Sequence, residues 1–196
     1  MKTSFAILLA LVLSVLTASQ SLSAMSQQRG LQKYGYPVVL ASVDFVPGQA
    51  QIVTVPDQVS PGTPPGYATF SIPAHAFTKP VTIRFLAAKN SDWDSKVSPK
   101  LKVIANFAYL ITDKADRIIV KFNEPIMYTL KDPMITKHSV YWATTPTSPP
   151  KLINANKASK IKGMTLTHPT PVSKVGWIIT TPKAELSMGS MSGSKM

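Results

Sequence analysis

Residues 68–85 read ATFSIPAHAFTKPVTIRF, and both ends of this stretch have the same pattern. Apolar residues there alternate with polar ones: Ala68, Phe70 and Ile72, then Val81, Ile83 and Phe85. A period of two puts successive side chains on opposite faces of a strand, whereas a helix repeats every ~3.6 residues. Proline cannot donate to a sheet, so Pro73 and Pro80 suit the connection between the two runs. The stretch predicts two half-buried β-strands joined by a turn.

The same alternation continues through most of the chain, with β-branched and aromatic residues at the apolar positions. Most of the 17 prolines lie between these runs, and seven of them are in 59–66, 131–133 and 146–150. One helical turn is expected near 154–160 and no longer helix. We therefore predict an all-β fold, an immunoglobulin-like or ZU-type antiparallel β-sandwich of about ten strands. The predicted strands are 36–45, 51–55, 68–72, 81–85, 101–109, 117–122, 126–130, 139–144, 161–168 and 174–181.

Several segments resemble the ZU-type β-sandwich, the family named for zonula occludens proteins, netrin receptors and ankyrins and also found in bacterial secreted proteins. The similar segments lie between 68 and 181: residues 68–85, 101–109, 117–125, Tyr141, Trp142, Leu152, 164–168 and 175–179. The family's glycine-rich lead-in is replaced here by 64–67, PPGY. The resemblance implies a non-catalytic interaction or spacer module and supplies no catalytic residues. An unrelated immunoglobulin-like sandwich is the alternative.

The amino terminus has the order of a secretory signal peptide. Lys2 precedes an apolar run over 5–16, which is shorter than the ~20 residues of a membrane span, and a small-residue stretch over 17–24 follows. We expect cleavage after Ser23 or Ala24, with Ala18 as a further option and an uncleaved anchor as the alternative. The expected organisation is a signal peptide over 1–24, a flexible segment over 25–33, a sandwich domain over 34–183 and a disordered tail over 184–196. The mature chain would be secreted or periplasmic, with no further transmembrane segment.

The residue composition limits the catalytic and metal-binding chemistry that the chain can perform. The chain has 196 residues, no cysteine and a formal net charge of +12 from 21 Lys+Arg against 9 Asp+Glu. The lack of cysteine excludes disulfides, thiol catalysis and thiolate metal sites. The three histidines, His75, His138 and His168, lie far apart without ligand spacing, and the pair Asp92 and Asp94 lacks the rest of a calcium loop. We therefore expect no catalytic, cofactor-binding or metal-binding residues.

The charge is unevenly distributed. Residues 133–184 contain no Asp or Glu, and a surface of one sign attracts polyions of the other. Partners expected from this are an acidic polysaccharide, an anionic lipid surface or another protein. Only three of the cations are arginine, which argues against sequence-specific nucleic-acid recognition. A solubilising role for the lysines is the alternative. The candidate polyanion-binding residues are Lys151, Lys157, Lys160, Lys162 and Lys174.

Two further functions stay open. Exposed aromatic rings can stack on sugars, so a carbohydrate-binding module would use Trp93, which is expected in an exposed turn, together with Tyr141 and Trp142. Because neighbouring residues of a strand point to opposite faces, at most one of Tyr141 and Trp142 belongs to the core, and Trp177 is expected in the core. A small secreted hydrolase is the other alternative. The main prediction is a secreted, non-enzymatic binding or surface-interaction module.

Overall fold

A computed structural model describes residues 35–56, 67–145, 151–172 and 176–186. Eleven strands lie within these ranges, together with a short helix, a 3₁₀ turn and a helical turn over residues 183–186. The strands are β1 (Val38–Phe45), β2 (Gln51–Pro56), β3 (Tyr67–Ile72), β4 (Val81–Ala87), β5 (Leu101–Asp113), β6 (Lys121–Lys131), β7 (Val140–Thr144), β8 (Leu152–Asn154), β9 (Lys160–Lys162), β10 (Thr165–Val172) and β11 (Gly176–Pro182). The helix α1 is Asn90–Asp94, and the 3₁₀ turn is Asn156–Ala158.

The strands form two antiparallel sheets packed against each other, which confirms the predicted all-β sandwich. The six-stranded sheet has the order β1-β4-β5-β11-β7-β8, and the five-stranded sheet has the order β2-β3-β6-β10-β9. The two strands predicted from 68–85 are β3 and β4, and they lie in different sheets. The turn between them therefore crosses from one sheet to the other.

An aromatic cluster fills the space between the sheets. Phe70 contacts Phe85 with ring centroids 4.4 Å apart, and Phe107 stacks on Tyr128 at 4.1 Å and on Trp177 at 5.1 Å. All of these side chains are buried. Large aromatic rings bury ~150–250 Å² each, so a sandwich without disulfides obtains a substantial core from them. The expected core position of Trp177 is confirmed.

A second apolar cluster covers the outer face of the six-stranded sheet. Tyr36 and Trp93 pack there with ring centroids 5.3 Å apart, next to Leu86, Leu110 and Ile178. As a result β5 is buried on both faces from Val103 to its end. The expectation of a half-buried strand over 101–109 was wrong, because α1 and the segment before β1 cover the face that alternation assigned to solvent.

Two strand boundaries differ from the prediction for local reasons. Only residues 121 and 122 of the predicted strand 117–122 are in a strand, and they join the predicted strand 126–130 in β6, which continues through Pro125. The prediction was wrong for 117–120, where Ile118 forms an isolated bridge to Thr112. Pairing with β3 extends only from Met127 to Lys131, so on that side Pro125 lies beyond the paired residues, where a missing N–H is tolerated. The predicted strand 161–168 divides into β9 and β10 at Gly163, which has φ +57°. A glycine at the first central position suits a two-residue hairpin turn.

The ends of the domain are described in part. The expected disordered tail begins at 184, but residues 183–186 form a helical turn, and Glu185 contacts His138. The expectation was therefore wrong for residues 184–186. The rest of the tail, the signal peptide over 1–24 and the flexible segment over 25–33 lie outside the described residues. Within the described ranges, no helix has both the length and the apolar character that crossing a membrane requires.

Candidate functional site

The outer face of the five-stranded sheet carries a regular row of threonines, beside a row that includes the exposed side chains of Ile52 and Met127. Strand alternation places Thr54, Thr69, Thr129 and Thr167 on this face, while their neighbours Val55, Phe70, Tyr128, Leu130 and Leu166 point into the core. The register aligns these threonines in one row, because Thr54 pairs with Thr69, Thr69 with Thr129, and Thr129 with Thr167. Four hydroxyls thus follow one another at the strand spacing of ~4.8 Å.

Lysines occupy one end of the same face. Thr165 pairs with Lys131 on one side and with Lys162 on the other, which places the two lysines about 10 Å apart across three strands. Lys160 pairs with Thr167 and so extends the row of threonines. Lys121 lies on the same face at the other end of β6, ten residues and ~34 Å from Lys131. All four lysines are exposed.

One aromatic ring is exposed beside these lysines. Tyr67 pairs with Lys131 and is 44% exposed. The Lys131 Nζ lies 5.9 Å from the centroid of the Tyr67 ring, which is at the outer limit of a cation–π contact. The ring therefore presents a flat apolar surface next to a positive charge.

The outward positions of these five strands, as far as the structure describes them, contain no Asp or Glu. The four lysines therefore lack carboxylate neighbours within their own face. Lys131, Lys160 and Lys162 lie close enough for their charges to reinforce one another, at distances near the Debye length of ~8–10 Å at moderate salt. Lys121, at the other end of β6, lies beyond that range. The face, defined by Thr54, Tyr67, Thr69, Lys121, Thr129, Lys131, Lys160, Lys162, Thr165 and Thr167, is called the basic face below.

The structure brings only some of the predicted lysines together. Lys160 and Lys162 belong to the basic face, whereas Lys151 precedes β8 in the other sheet and Lys157 lies in the 3₁₀ turn. Lys174 lies outside the described residues. Sequence reasoning missed Lys121 and Lys131, which lie before the acid-free segment that drew attention to the carboxyl-terminal third. The strand register that connects β6 to β10 pairs residues about 40 positions apart, and no local signal in the sequence reveals it.

The predicted sugar-stacking residues do not form an exposed platform. Trp93 and Tyr141 are both 0% exposed, so the prediction of an exposed Trp93 was wrong. The reason is that 90–94 folds as a helix instead of a solvated turn, and this helix packs Trp93 against Tyr36. Trp142 is half-buried on the opposite side of β7 from Tyr141, and its Nε1 donates to the Thr180 hydroxyl at 2.9 Å.

The histidines and the aspartate pair occupy separate places. His75 is exposed in the turn after β3, His138 contacts Glu185, and His168 is buried between the sheets. Asp94 accepts hydrogen bonds from the Lys102 Nζ at 2.9 Å and from the Val103 N–H at 3.0 Å, which fixes α1 to β5. Among the described residues, no three His, Asp or Glu side chains are grouped in a way that could hold a metal ion.

The protein is an all-β sandwich, and the charged side chains that the structure describes on the outer face of its five-stranded sheet are all positive. Comparison with protein-family models, curated proteins and solved structures finds no significant match to this chain. The resemblance to the ZU-type family therefore stays a prediction, and the function must be argued from the surface itself.

Proposed function

We propose that this protein is a non-enzymatic binding module that recognises a polyanion through the basic face. The observation that carries the proposal is the proximity of Lys131, Lys160 and Lys162 on one sheet face whose described outward positions hold no acid. Lysines that serve only solubility would be expected on every face and interspersed with carboxylates. The signal-type amino terminus supports a secreted or periplasmic location for this binding.

The chemistry of the face favours an acidic polysaccharide. Lysine ammonium groups attract carboxylate or sulfate groups as point charges, without the paired donors that arginine uses for bases and phosphates. The row of threonines supplies hydroxyls that can donate to and accept from sugar hydroxyls. Tyr67 adds an exposed ring beside Lys131. A flat face of this kind suits an extended chain better than a compact ligand, which would need a concave site.

Charge reversal with a matched control tests the proposal. The variant Lys131→Glu/Lys160→Glu/Lys162→Glu reverses three charges on the basic face. The control Lys89→Glu/Lys114→Glu/Lys151→Glu makes the same change in net charge at exposed positions elsewhere. We expect the first variant to lose retention on heparin and alginate matrices at low salt, while the control stays close to the wild type. Equal loss in both variants would show that net charge alone acts and would overturn the proposal.

Salt dependence and binding to other ligand classes distinguish the polyanion proposal from its alternatives. Wild-type binding should weaken steeply as salt rises, because exposed charges are screened. Binding to vesicles of anionic lipid, with no binding to acidic polysaccharide, would assign the basic face to a membrane surface instead. Salt-insensitive binding to neutral glycans that survives the triple reversal would favour recognition by Tyr67 or Trp142 and contradict a polyanion site.

A further inference from the structure

A concave site lies at the side of the sandwich where β7 and β10 meet, beyond the end of the basic face at Thr167. A groove of about 710 Å³ opens there between the 3₁₀ turn and the edge of β10. Its lining is mostly apolar and includes Ala143, Ala158, Pro169, Pro171 and Trp177. Grooves of ~300–1,000 Å³ lined by apolar side chains with few polar groups are typical of small-molecule sites.

The edge of β10 explains why the groove is open and apolar. β9 pairs with β10 only from Thr165 to Thr167, so beyond Thr167 no strand of the described residues pairs with β10 on that side. Pro169 and Pro171 lie in this free part, and neither has an N–H to offer. A peptide strand would find too few backbone donors here to extend the sheet. An alkyl chain forms no hydrogen bonds, so it can lie against these prolines without leaving any backbone N–H group unpaired.

The charge at the rim of the groove indicates which polar group a ligand would carry. Lys157 is exposed in the 3₁₀ turn and is the ionised side chain of the lining, and the described lining residues include no Asp or Glu. The second polar group is His168, whose Nδ1 is hydrogen-bonded to the Ser159 hydroxyl at 2.8 Å. Burial keeps the pKa of His168 near 4, so the ring is neutral at pH 7. The groove thus combines an apolar wall with one positive charge at its rim.

We propose that this groove binds an amphiphile with a single alkyl chain and one anionic head group, such as a long-chain carboxylate. The chain lies against Ala143, Pro169 and Trp177, and the head group pairs with Lys157. The inference does not depend on the polyanion proposal, because the residues that bind each ligand differ: Lys157 lies in the 3₁₀ turn, and Pro169 and Pro171 lie beyond Thr167 on β10.

Binding of dodecanoate to the full chain tests the site. Titration below the micelle concentration, followed by calorimetry and by tryptophan fluorescence, should show saturable binding of one molecule per chain. Dodecyltrimethylammonium has the same alkyl chain with a cationic head group and should bind at least about fivefold more weakly, because Lys157 repels it. Acetate, which has the head group alone, should not bind measurably.

Two variants locate the bound molecule. Ala158→Trp fills the groove from an exposed position and should weaken dodecanoate binding by at least about tenfold, because the added ring occupies the space of the chain. Lys157→Glu should weaken it by about fivefold or more, whereas Lys151→Glu makes the same charge change outside the groove and should leave it within about twofold. Thermal unfolding of each variant checks that the fold is intact.

The following results would contradict the proposed amphiphile site. Absence of dodecanoate binding, or binding that Ala158→Trp leaves unchanged, would overturn the site. Equal affinity for the carboxylate and the trimethylammonium amphiphile would overturn the assignment of an anionic head group. Loss of binding in the basic-face triple variant with no effect of Ala158→Trp would place the ligand on the basic face instead.

Discussion

The imidazole of His168 lies flat on the ring of Tyr141, with ring centroids 3.8 Å apart and planes inclined by 18°. His168 belongs to β10 of the five-stranded sheet and Tyr141 to β7 of the six-stranded sheet, so this stack joins the two layers. The Tyr141 hydroxyl is buried without a hydrogen-bond partner, and burial raises its pKa well above the ordinary tyrosine value. Both rings can titrate, but at neutral pH both are uncharged in the folded protein and pack against each other as apolar groups.

Acid should weaken this contact. Burial lowers the pKa of His168 from 6.5 to about 4 in the folded state. Between these two pH values the unfolded chain binds a proton at His168 that the folded protein does not, so stability must fall as the pH falls. The contribution lost is roughly 3 kcal/mol, at about 1.4 kcal/mol for each pKa unit. Urea unfolding at a series of pH values from 7 down to 4 would measure it.

The variant His168→Phe is the control for that measurement. It keeps a ring against Tyr141 but has no titrating group, so its stability should depend less on pH than that of the wild type across the same range. Parallel pH profiles of the two proteins would show that His168 does not carry the acid sensitivity.

Gly176→Ala should destabilise the fold by roughly 1–3 kcal/mol through overpacking. A Cβ at Gly176 would overlap the buried ring of Tyr36, whose hydroxyl is hydrogen-bonded to Thr144 Oγ1 at 3.2 Å. The variant Tyr36→Ala removes the ring that would clash. The double variant should therefore be less destabilised than the sum of the two single variants, as measured by denaturant unfolding in a double-mutant cycle. Simple additivity would contradict this contact.

Trp93 should matter for stability and not for binding. Trp93→Ala is expected to cost about 3–5 kcal/mol, because it empties a fully buried site beside Tyr36. Trp93→Phe should cost considerably less, because the buried indole Nε1 has no hydrogen-bond partner to lose. Chemical denaturation measures both variants. Retention of Trp93→Phe on acidic polysaccharide should equal that of the wild type, and a selective loss of binding would restore Trp93 as a ligand-binding residue.

Asp113 organises the turn between β5 and β6. Its carboxylate accepts hydrogen bonds from the Lys79 Nζ at 2.6 Å, from the Ala115 N–H at 2.9 Å, and from the Arg117 N–H and Nε at 3.0 and 2.9 Å. Asp113→Ala removes the acceptor for all of them and should lower the melting temperature clearly. Asp116→Gly removes an acid from the same turn at a residue with φ +53°, which glycine adopts more easily, so it should not lower the melting temperature.

The same carboxylate adds a second acid-sensitive step. The Lys79 ammonium, followed by the backbone and side-chain donors of the turn, holds the pKa of Asp113 far below its usual range. Its contribution to stability is therefore present above about pH 4 and is lost as the pH falls further. Asp113→Asn should flatten the thermal-stability profile below pH 4 and leave the His168 step unchanged. A profile below pH 4 that matches the wild type would contradict this assignment.

Prediction from the sequence worked where neighbouring residues decide the structure. The alternation over 68–85 was sufficient to place β3 and β4, and most other strands followed the same rule. It failed at Trp93, where polar neighbours indicated a solvated turn, and at β5, where alternation indicated one exposed face. In both cases the deciding contact comes from a residue distant in the chain: Tyr36 covers Trp93 from 57 positions away.

Part of the candidate site could also be predicted from the sequence, and part of it could not. The excess of lysine and the lack of acids over 133–184 can be read from composition, and they pointed to Lys160 and Lys162. They could not show that Lys131 stands two strands from Lys162, nor that Pro169 and Pro171 lie at an edge that β9 leaves free. Those placements depend on the register between strands, which is set by how side chains pack across the whole sheet.

By itself, the sequence determined the fold class, the positions of most strands and turns, the absence of thiol chemistry and the sign of the charge. These follow from the local period of apolar residues, the backbone restrictions of proline, and residue counts. Only the tertiary structure decided which side chains share a surface: it buried Trp93 and Tyr141, placed four lysines on the basic face and opened the groove beside β10. The physical reason is that strands close in space are far apart in the chain, so the packing of the two sheets, and not local preference, selects their neighbours.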